Sequence, residues 1–306
     1  MREIIDKTVA EVGKALLGKE PQIRLALCCL LSRGHLLIED LPGMGKTTLS
    51  HALAQVLGLS YKRVQFTSDL LPADILGVSV FDQASTSFSF HHGPIFTQLL
   101  LADEINRTTP RTQSALLEAM AEGQVTVDGE TRQLPRPFFV IATQNPLHQS
   151  GTYPLPESQL DRFLMRIELG YPDPAAERSM LLGDHSGTAS IVLEECLEVS
   201  QLIAFREAAG KVHASDNVMD YLQRLVGHTR VASGFACGLS PRGSMALLQS
   251  ARTWALMHGR SHIVPEDLQA ILPSVASHRL VANSDFAGDN HALIRETLAT
   301  VDVIKP

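Results

Sequence analysis

His35-Leu36-Leu37-Ile38-Glu39-Asp40-Leu41-Pro42-Gly43-Met44-Gly45-Lys46-Thr47-Thr48 is the stretch that decides the fold. HLLIE is a short apolar run of strand character, and beyond the glycines Leu49, Ala52, Leu53 and Val56 mark one face of a helix that Gly58 ends. Strand, glycine loop and helix in that order make an anion cradle. Glycines let backbone N–H groups turn inward, the helix start adds its positive dipole end, Lys46 reaches the β and γ phosphates, and the Thr47 hydroxyl suits Mg²⁺. A turn needing only flexibility would not require Gly-Lys-Thr. Pro42, Gly43, Met44, Gly45, Lys46, Thr47 and Thr48 are therefore the candidate nucleotide-binding residues. The loop departs from G-x-x-x-x-G-K-S/T at its first position, where Asp40 tolerates unusual turn dihedrals but brings a negative charge.

Working outward, Ile4, Ile5, Val9, Val12 and Leu16 recur at helical spacing, and Pro21 opens a second helix that Ser32-Arg33-Gly34 stops. Downstream, Tyr61 to Phe66, Leu99 to Ala102 and Phe138 to Thr143 read as strands. The last two are continuous apolar runs, as expected where helices cover both faces of a sheet. Beyond the linker Tyr171-Pro172-Asp173-Pro174 the texture turns helical. Val218, Met219, Leu222, Leu225 and Val226 form one stripe capped by Ser215, and Ser240-Pro241 opens a helix with Met245, Leu248, Ala251, Trp254 and Ala255 along one side. The expectation is an α/β core over residues 1–172, a parallel sheet sandwiched by helices, with a smaller all-helical domain over 173–306.

A phosphate cradle hydrolyses nothing without a metal shell and a base. Leu99-Leu100-Leu101-Ala102 ends in Asp103-Glu104, adjacent carboxylates that would project to opposite sides of a strand and so take different roles: Asp103 for Mg²⁺, Glu104 for water. The next apolar strand ends in Thr143-Gln144-Asn145-Pro146. Asn145 either touches the attacking water or the γ-phosphate, or is a turn residue before proline.

Composition excludes several classes. The 306 residues carry 26 Lys+Arg against 33 Asp+Glu, a net charge of −7, with 44% hydrophobic residues, an ordinary globular balance that argues mildly against a general nucleic-acid binder. The longest apolar run, Leu25 to Leu31, is far short of the roughly 18 residues of a membrane span, and the N-terminus mixes charges where a signal peptide needs an apolar run. A cytoplasmic protein is expected. Cys28, Cys29, Cys196 and Cys237 lack metal-ligand spacing and read as reduced thiols. The histidine pair His91-His92 points apart in an extended segment, so Mg²⁺ held with the nucleotide is the expected metal.

Taken in order, EDLPGMGKTTL, VQFTSDLLPADILG, GPIF, LLLADEINR, TQSALLEAM, QVTVDGE, FFVIATQNP and GTYPLPESQLDRF resemble the MoxR family of AAA+ ATPases, from near the N-terminus to about Leu169 and more weakly to Arg242. An acidic residue at the Asp40 position is common in that family. The resemblance implies a AAA+ P-loop NTPase core with a helical lid, ATP and Mg²⁺ as cofactors, and ATP hydrolysis. It assigns Gly43, Gly45, Lys46 and Thr47 to the nucleotide loop, Thr47 and Asp103 to the metal, Glu104 to the base and Asn145 to the sensor asparagine. Arg162, in Gln159-Leu160-Asp161-Arg162-Phe163, matches the arginine finger given to a neighbouring subunit. Arg242, in Leu239-Ser240-Pro241-Arg242, matches the lid arginine that senses the γ-phosphate in cis or trans, and Arg107 or Arg166 could share that interface. A homo-oligomeric, hexameric ring is implied, with a chaperone-like role in maturing client proteins beside a partner carrying a von Willebrand factor A domain.

Two hairpins decorate the core. Gln124-Val125-Thr126-Val127-Asp128-Gly129 alternates into an Asp-Gly turn, and Val78, Val80, Phe88 and Phe90 alternate around a polar tip, Asp82 to Ser87. They resemble the pre-sensor hairpin and the helix-2 insertion of this clade, which often face a partner or a central pore. A nucleic-acid motor would place Lys or Arg at these tips; they read Asp128-Gly129-Glu130 and Asp82-Gln83, with only Arg132 near. The ATPase subunit of a metal chelatase shares much of this core and is the other alternative. Intact Lys46, Asp103 and Glu104 argue against a non-catalytic adaptor.

Overall fold

The structure is a computed structural model that describes residues 1–83, 86–145, 151–182, 192–283 and 290–304. Helices α1 (Arg2–Ala15) and α2 (Glu20–Leu31) precede β1 (Leu36–Glu39), and the glycine loop then opens α3 (Lys46–Val56). There follow β2 (Tyr61–Gln65), the short α4 (Pro72–Leu76), the hairpin of β3 (Gly77–Asp82) and β4 (Ser87–His92), and β5 (Leu99–Asp103). A 3₁₀ turn (Ile105–Arg107), α5 (Pro110–Glu122), the hairpin of β6 (Gln124–Val127) and β7 (Glu130–Gln133), β8 (Phe139–Gln144), α6 (Glu157–Leu160) and β9 (Met165–Ile167) complete the core. Both expected hairpins are present; residues 84–85 of the first tip, and Pro146, lie outside the described residues.

The central sheet runs β2-β5-β8-β1-β9, every pair parallel. All five strands therefore end at one edge, where Glu39 lies level with Gln144 and Gln65 with Asp103. Side chains alternate between two buried faces. Leu36, Ile38, Leu99, Leu101, Phe139 and Ile141 enter one apolar cluster, while Leu37, Leu100, Ala102, Val140 and Ala142 enter the other. That two-sided burial is why β5 and β8 read as unbroken apolar runs.

The C-terminal part comprises α7 (Pro174–Leu181), α8 (Val199–Gly210), α9 (Asp216–Val231), β10 (Phe235–Cys237), α10 (Pro241–Met257), α11 (Pro265–Ala276), β11 (Val281–Ala282) and α12 (Asn290–Thr300). Ser215 and Ser240 cap α9 and α10 as expected, accepting from Val218 N and Gly243 N. The lid is not all-helical: β10 and β11 pair antiparallel. Strands of three and two residues are too short to show an alternation in the sequence.

Lid and core share one apolar cluster, which runs from α1, α2 and α3 through Leu202, Tyr221, Leu247, Ala251, Leu268 and Ile271. A polar clasp reinforces it. The Arg279 side chain is only 4% exposed; its Nε donates to Asp161 Oδ1 at 2.6 Å, Nη2 to Phe163 O at 2.6 Å and Nη1 to Leu164 O at 3.0 Å. His278 Nε2 lies 2.9 Å from the same Phe163 carbonyl, so that nitrogen carries the proton, and burial holds the ring neutral by pushing its pKa well down. Asp161→Ala should leave a buried guanidinium without its carboxylate and lower the melting temperature by roughly 5 °C or more. Removing the charge as well, in Asp161→Ala/Arg279→Met, should recover most of that loss; a thermal scan finding Asp161→Ala as stable as the parent would refute the clasp.

Candidate functional site

The cradle begins where β1 leaves the sheet. Gly43 and Gly45 have φ of +85° and +90°, the left-handed region that glycine enters without a steric penalty. Gly45 caps α3, and a Cβ there would come within 2.6 Å of Leu16 Cδ1, whereas a Cβ on Gly43 would meet nothing within 4 Å. The loop is thus backed by packing at Gly45 and open at Gly43, as a phosphate requires. Pro42 is exposed, Met44 packs against the apolar cluster, and Thr47 and Thr48 sit half-buried in the first turn of α3.

Lys46 is 8% exposed, and its Nζ donates to Asp40 O at 2.6 Å and to Asn145 Oδ1 at 3.1 Å. Burial lowers its pKa, and the nearby Asp40, Asp103, Glu104 and Glu39 carboxylates oppose that shift. The Asp40 carboxylate has its own partners: Oδ2 accepts from Leu169 N at 2.7 Å and Gly170 N at 2.6 Å, and Oδ1 from Leu41 N at 2.8 Å.

Asp103 ends β5 and is buried. Its Oδ1 accepts from Thr143 Oγ1 at 2.6 Å, and its Oδ2 from Arg63 Nη2 at 2.7 Å and Nε at 3.2 Å. Glu104 is not the next strand residue that simple alternation suggests. It turns into the left-handed region, φ +56°, and opens the 3₁₀ turn, with its N–H donating to Thr143 Oγ1 at 2.8 Å. A non-glycine residue held there is strained, and such strain concentrates at functional sites. The Glu104 carboxylate accepts from Asn145 Nδ2 at 3.1 Å on one oxygen, and from Gln65 Nε2 at 2.7 Å and Arg107 Nη1 at 2.9 Å on the other.

Asn145 therefore joins the two halves of the site. Its amide oxygen meets the lysine, its amide nitrogen meets the glutamate, and its backbone carbonyl accepts from Asn106 Nδ2 at 3.2 Å. A turn residue before proline would need none of these contacts. Arg63, Gln65, Arg107 and Thr143 belong to the site although no motif announces the first two. Arg63 and Gln65 alternate along β2, and the register setting Gln65 beside Asp103 brings them to the carboxylates.

Arg162 and Arg242 are not brought to Lys46. Arg162 Nη1 donates to Leu117 O on α5 at 2.8 Å. Two residues on, Leu164 N donates to His35 O at 2.8 Å, and His35 Nε2 contacts Met120 O, one turn beyond Leu117. Arg242 is exposed in the first turn of α10, close enough that its charge helps to lower the pKa values of His35 and Arg279, after the dominant effect of burial. His35 stands at the start of β1, about 16 Å along the strand from Asp40. Among the described residues, then, the side-chain contact of Arg162 is with α5, and the nearest charged or titratable neighbours of Arg242 are His35 and Arg279 rather than the loop. Arg166 is held by Glu39 at 3.1 Å and Glu168 at 3.1 Å.

Among the described residues no group of three or more His, Cys, Asp or Glu side chains could hold a metal, and Thr47 and Asp103 offer oxygen donors of the kind Mg²⁺ takes. His91 meets Ser89 Oγ, and His92 stacks edge-on to Phe90 and Phe96. The cysteines are free thiols, and burial pushes that of Cys28 up to about 12. Among the described residues no helix is long and apolar enough to cross a membrane.

Comparison with known proteins agrees with this geometry. Residues 35–165 match the ATPase family associated with various cellular activities (AAA), and residues 227–297 match the AAA lid domain. The Bacillus subtilis protein YeaC is 42% identical over 99% of this chain and 96% of its own length. Chaperone MoxR1 of Mycobacterium tuberculosis is 38% identical over 97% of this chain and 81% of its own, and protein MoxR of Paracoccus denitrificans 31% identical over 93% and 91%. A crystal structure of a candidate ATPase from Cytophaga hutchinsonii superposes with a TM-score of 0.91 at 34% identity, covering 99% of this chain and 96% of that one. With loop, paired carboxylates and lid in place and relatives of this kind spanning nearly its whole length, the chain belongs to the MoxR family of AAA+ ATPases.

Proposed function

We propose that this ATPase works as a closed homo-oligomeric ring, the hexamer its family resemblance implies, in which each nucleotide site is completed by the next copy. The observation that carries this reading is the separation of Arg162 and Arg242 from their own loop, with both gathered near the start of β1. A guanidinium that cannot reach its own phosphates serves a neighbour's, and head-to-tail contacts of that kind close into rings. Arg242 accordingly acts in trans.

Bound Mg·ATP supplies the electrophilic phosphorus and neutralises charge on the phosphate oxygens. Gly43 to Thr48 would hold the phosphates with backbone N–H groups and the Lys46 ammonium, with Pro42 shaping the turn, and Thr47 and Asp103 would hold the metal. Lys46 must leave the Asp40 carbonyl to do so, and Arg63 must release Asp103. Glu104 accepts the proton of the attacking water once Gln65 and Arg107 yield its outer oxygen, while Asn145 keeps the glutamate aligned with the lysine. Arg162 and Arg242 of the adjacent copy answer the charge that spreads over the γ-phosphoryl oxygens, an effect worth about 10³ to 10⁵ in rate.

The relative named Chaperone MoxR1 supports a chaperone-like role for the motion that hydrolysis drives. A partner with a von Willebrand factor A domain and a cytoplasmic setting complete the reading. A nucleic-acid motor is disfavoured, because Arg132 at the second hairpin already covers the Phe90 ring at 3.9 Å and pairs with Glu130, leaving acid at the tip.

Lys46→Ala should abolish tight ATP binding in a nucleotide titration; unaltered affinity would remove the cradle. Glu104→Gln should bind ATP and turn it over at least about a hundredfold more slowly; normal turnover would remove Glu104 as base. Arg162→Ala should bind ATP yet be inactive alone, and an equal mixture with Lys46→Ala should regain up to about a quarter of wild-type activity, the share of interfaces with one intact loop and one intact finger. No recovery at any ratio would contradict completion in trans.

A further inference from the structure

Asp40 stands where the general phosphate-loop pattern has glycine, and every polar atom it owns is engaged. Its N–H donates to Gln144 O at the end of β8, its carbonyl accepts from Lys46 Nζ, and its carboxylate accepts from Leu41, Leu169 and Gly170. Leu169 and Gly170 are 129 and 130 residues away in sequence and begin the segment through which the chain leaves the sheet for α7. The same exit segment is held at two further points: Gln22 Nε2 donates to Leu169 O, and the nearly buried Lys19 donates to Tyr171 O. Asp173 then caps α7 through Ala175 N and Ala176 N. Gly170 itself has φ +65°, a left-handed backbone that glycine adopts without strain, so the tether point falls at the turn of the exit segment.

We propose that Asp40 is a positioning residue that couples occupancy of the phosphate loop to the exit segment Leu169–Asp173, and through it to α7. The inference rests on the loop's holding the triphosphate. When Lys46 turns to the phosphates, Asp40 loses the ammonium from its carbonyl while the phosphates take up the loop's N–H groups. The loop stiffens around its ligand, and the carboxylate, covalently part of the loop, holds Leu169 and Gly170 more steadily. A glycine at this position would cradle phosphate through the same backbone groups, yet nothing would report its presence to the start of the lid. Coupling of this kind needs a contact whose strength differs between the empty and filled states, and a carboxylate shared between loop and exit segment is such a contact.

The test compares the full-length wild type with Asp40→Gly, which restores the general glycine pattern, with Asp40→Asn, and with Lys46→Ala, using a slowly hydrolysed ATP analogue with Mg²⁺. Amide exchange is followed at Leu169 and Gly170, and steady-state hydrolysis alongside. In the wild type the analogue should slow exchange at these two amides about fivefold or more. Asp40→Gly should bind the analogue and keep KM within about threefold, lose about tenfold in kcat, and exchange Leu169 and Gly170 quickly whether or not nucleotide is present. Asp40→Asn, which keeps one acceptor oxygen, should recover part of both losses. Wild-type exchange that ignores bound analogue, Asp40→Gly turning over at the wild-type kcat, or Asp40→Gly losing nucleotide as completely as Lys46→Ala would each overturn the coupling. A wild type that fails to bind the analogue would instead overturn the reading of the loop itself.

Discussion

A lysine ammonium buried in a protein must be met by acceptors or give up its charge, and Lys46 is where this constraint acts. Its two hydrogen-bond partners come from opposite sides: the Asp40 carbonyl from its own loop, and the Asn145 amide from the neighbouring strand β8. Because Asn145 spends its oxygen on the lysine, its nitrogen is left to donate, and the acceptor it finds is the Glu104 carboxylate. Glutamate and lysine are thereby held in register through one planar group whose orientation neither can reverse without losing a bond. The parallel sheet makes this possible by ending β1, β8 and β5 at one edge in that order. Arg63 and Arg107 extend the same logic outward, each pairing with one of the two carboxylates, Asp103 and Glu104.

How far the site could be read from the sequence follows from how its parts are connected. The loop was legible because its members are covalent neighbours and their spacing is the chemistry. Asp103 and Glu104 were legible as the end of an apolar strand, although alternation misjudged Glu104, whose left-handed backbone takes it out of the strand. Asn145 stayed ambiguous between sensor and turn residue, since only strand order sets it between lysine and glutamate. Arg63 and Gln65 were out of reach for the same reason: nothing local says that β2 borders β5. The partners of Asp40 lie some 130 residues downstream, so an apparent defect in a motif could not be recognised as a tether. The β10–β11 ribbon was lost because a period needs more residues than it has.

The lid's attachment bears on how motion travels. Arg279 and His278 converge on the single carbonyl of Phe163, and an apolar cluster continues from α2 into α10 and α11, so lid and core meet across a packed surface and not across an empty hinge. Interfaces packed in this way hold a few discrete arrangements and do not deform gradually. The residues that grip Phe163 directly flank the segment carrying Arg162. A change in lid packing therefore reaches that arginine within one residue of chain.

Helix α5 supplies the remaining link, between Glu104 and Arg162. At its N-terminal end the 3₁₀ turn carries Arg107 against Glu104, and Gln113 ties the helix to the carbonyls of Ile105, Thr108 and Tyr153. Midway along it the Leu117 carbonyl receives Arg162, and three residues further on Met120 meets His35. Leu117 lies seven residues, about 10 Å, beyond Pro110, so the first half of this helix spans the distance from the turn carrying Arg107 to the carbonyl that holds Arg162. Glu104, through Arg107, and Arg162, through the Leu117 carbonyl, are thus anchored to one continuous stretch of chain, the 3₁₀ turn and the helix that follows it.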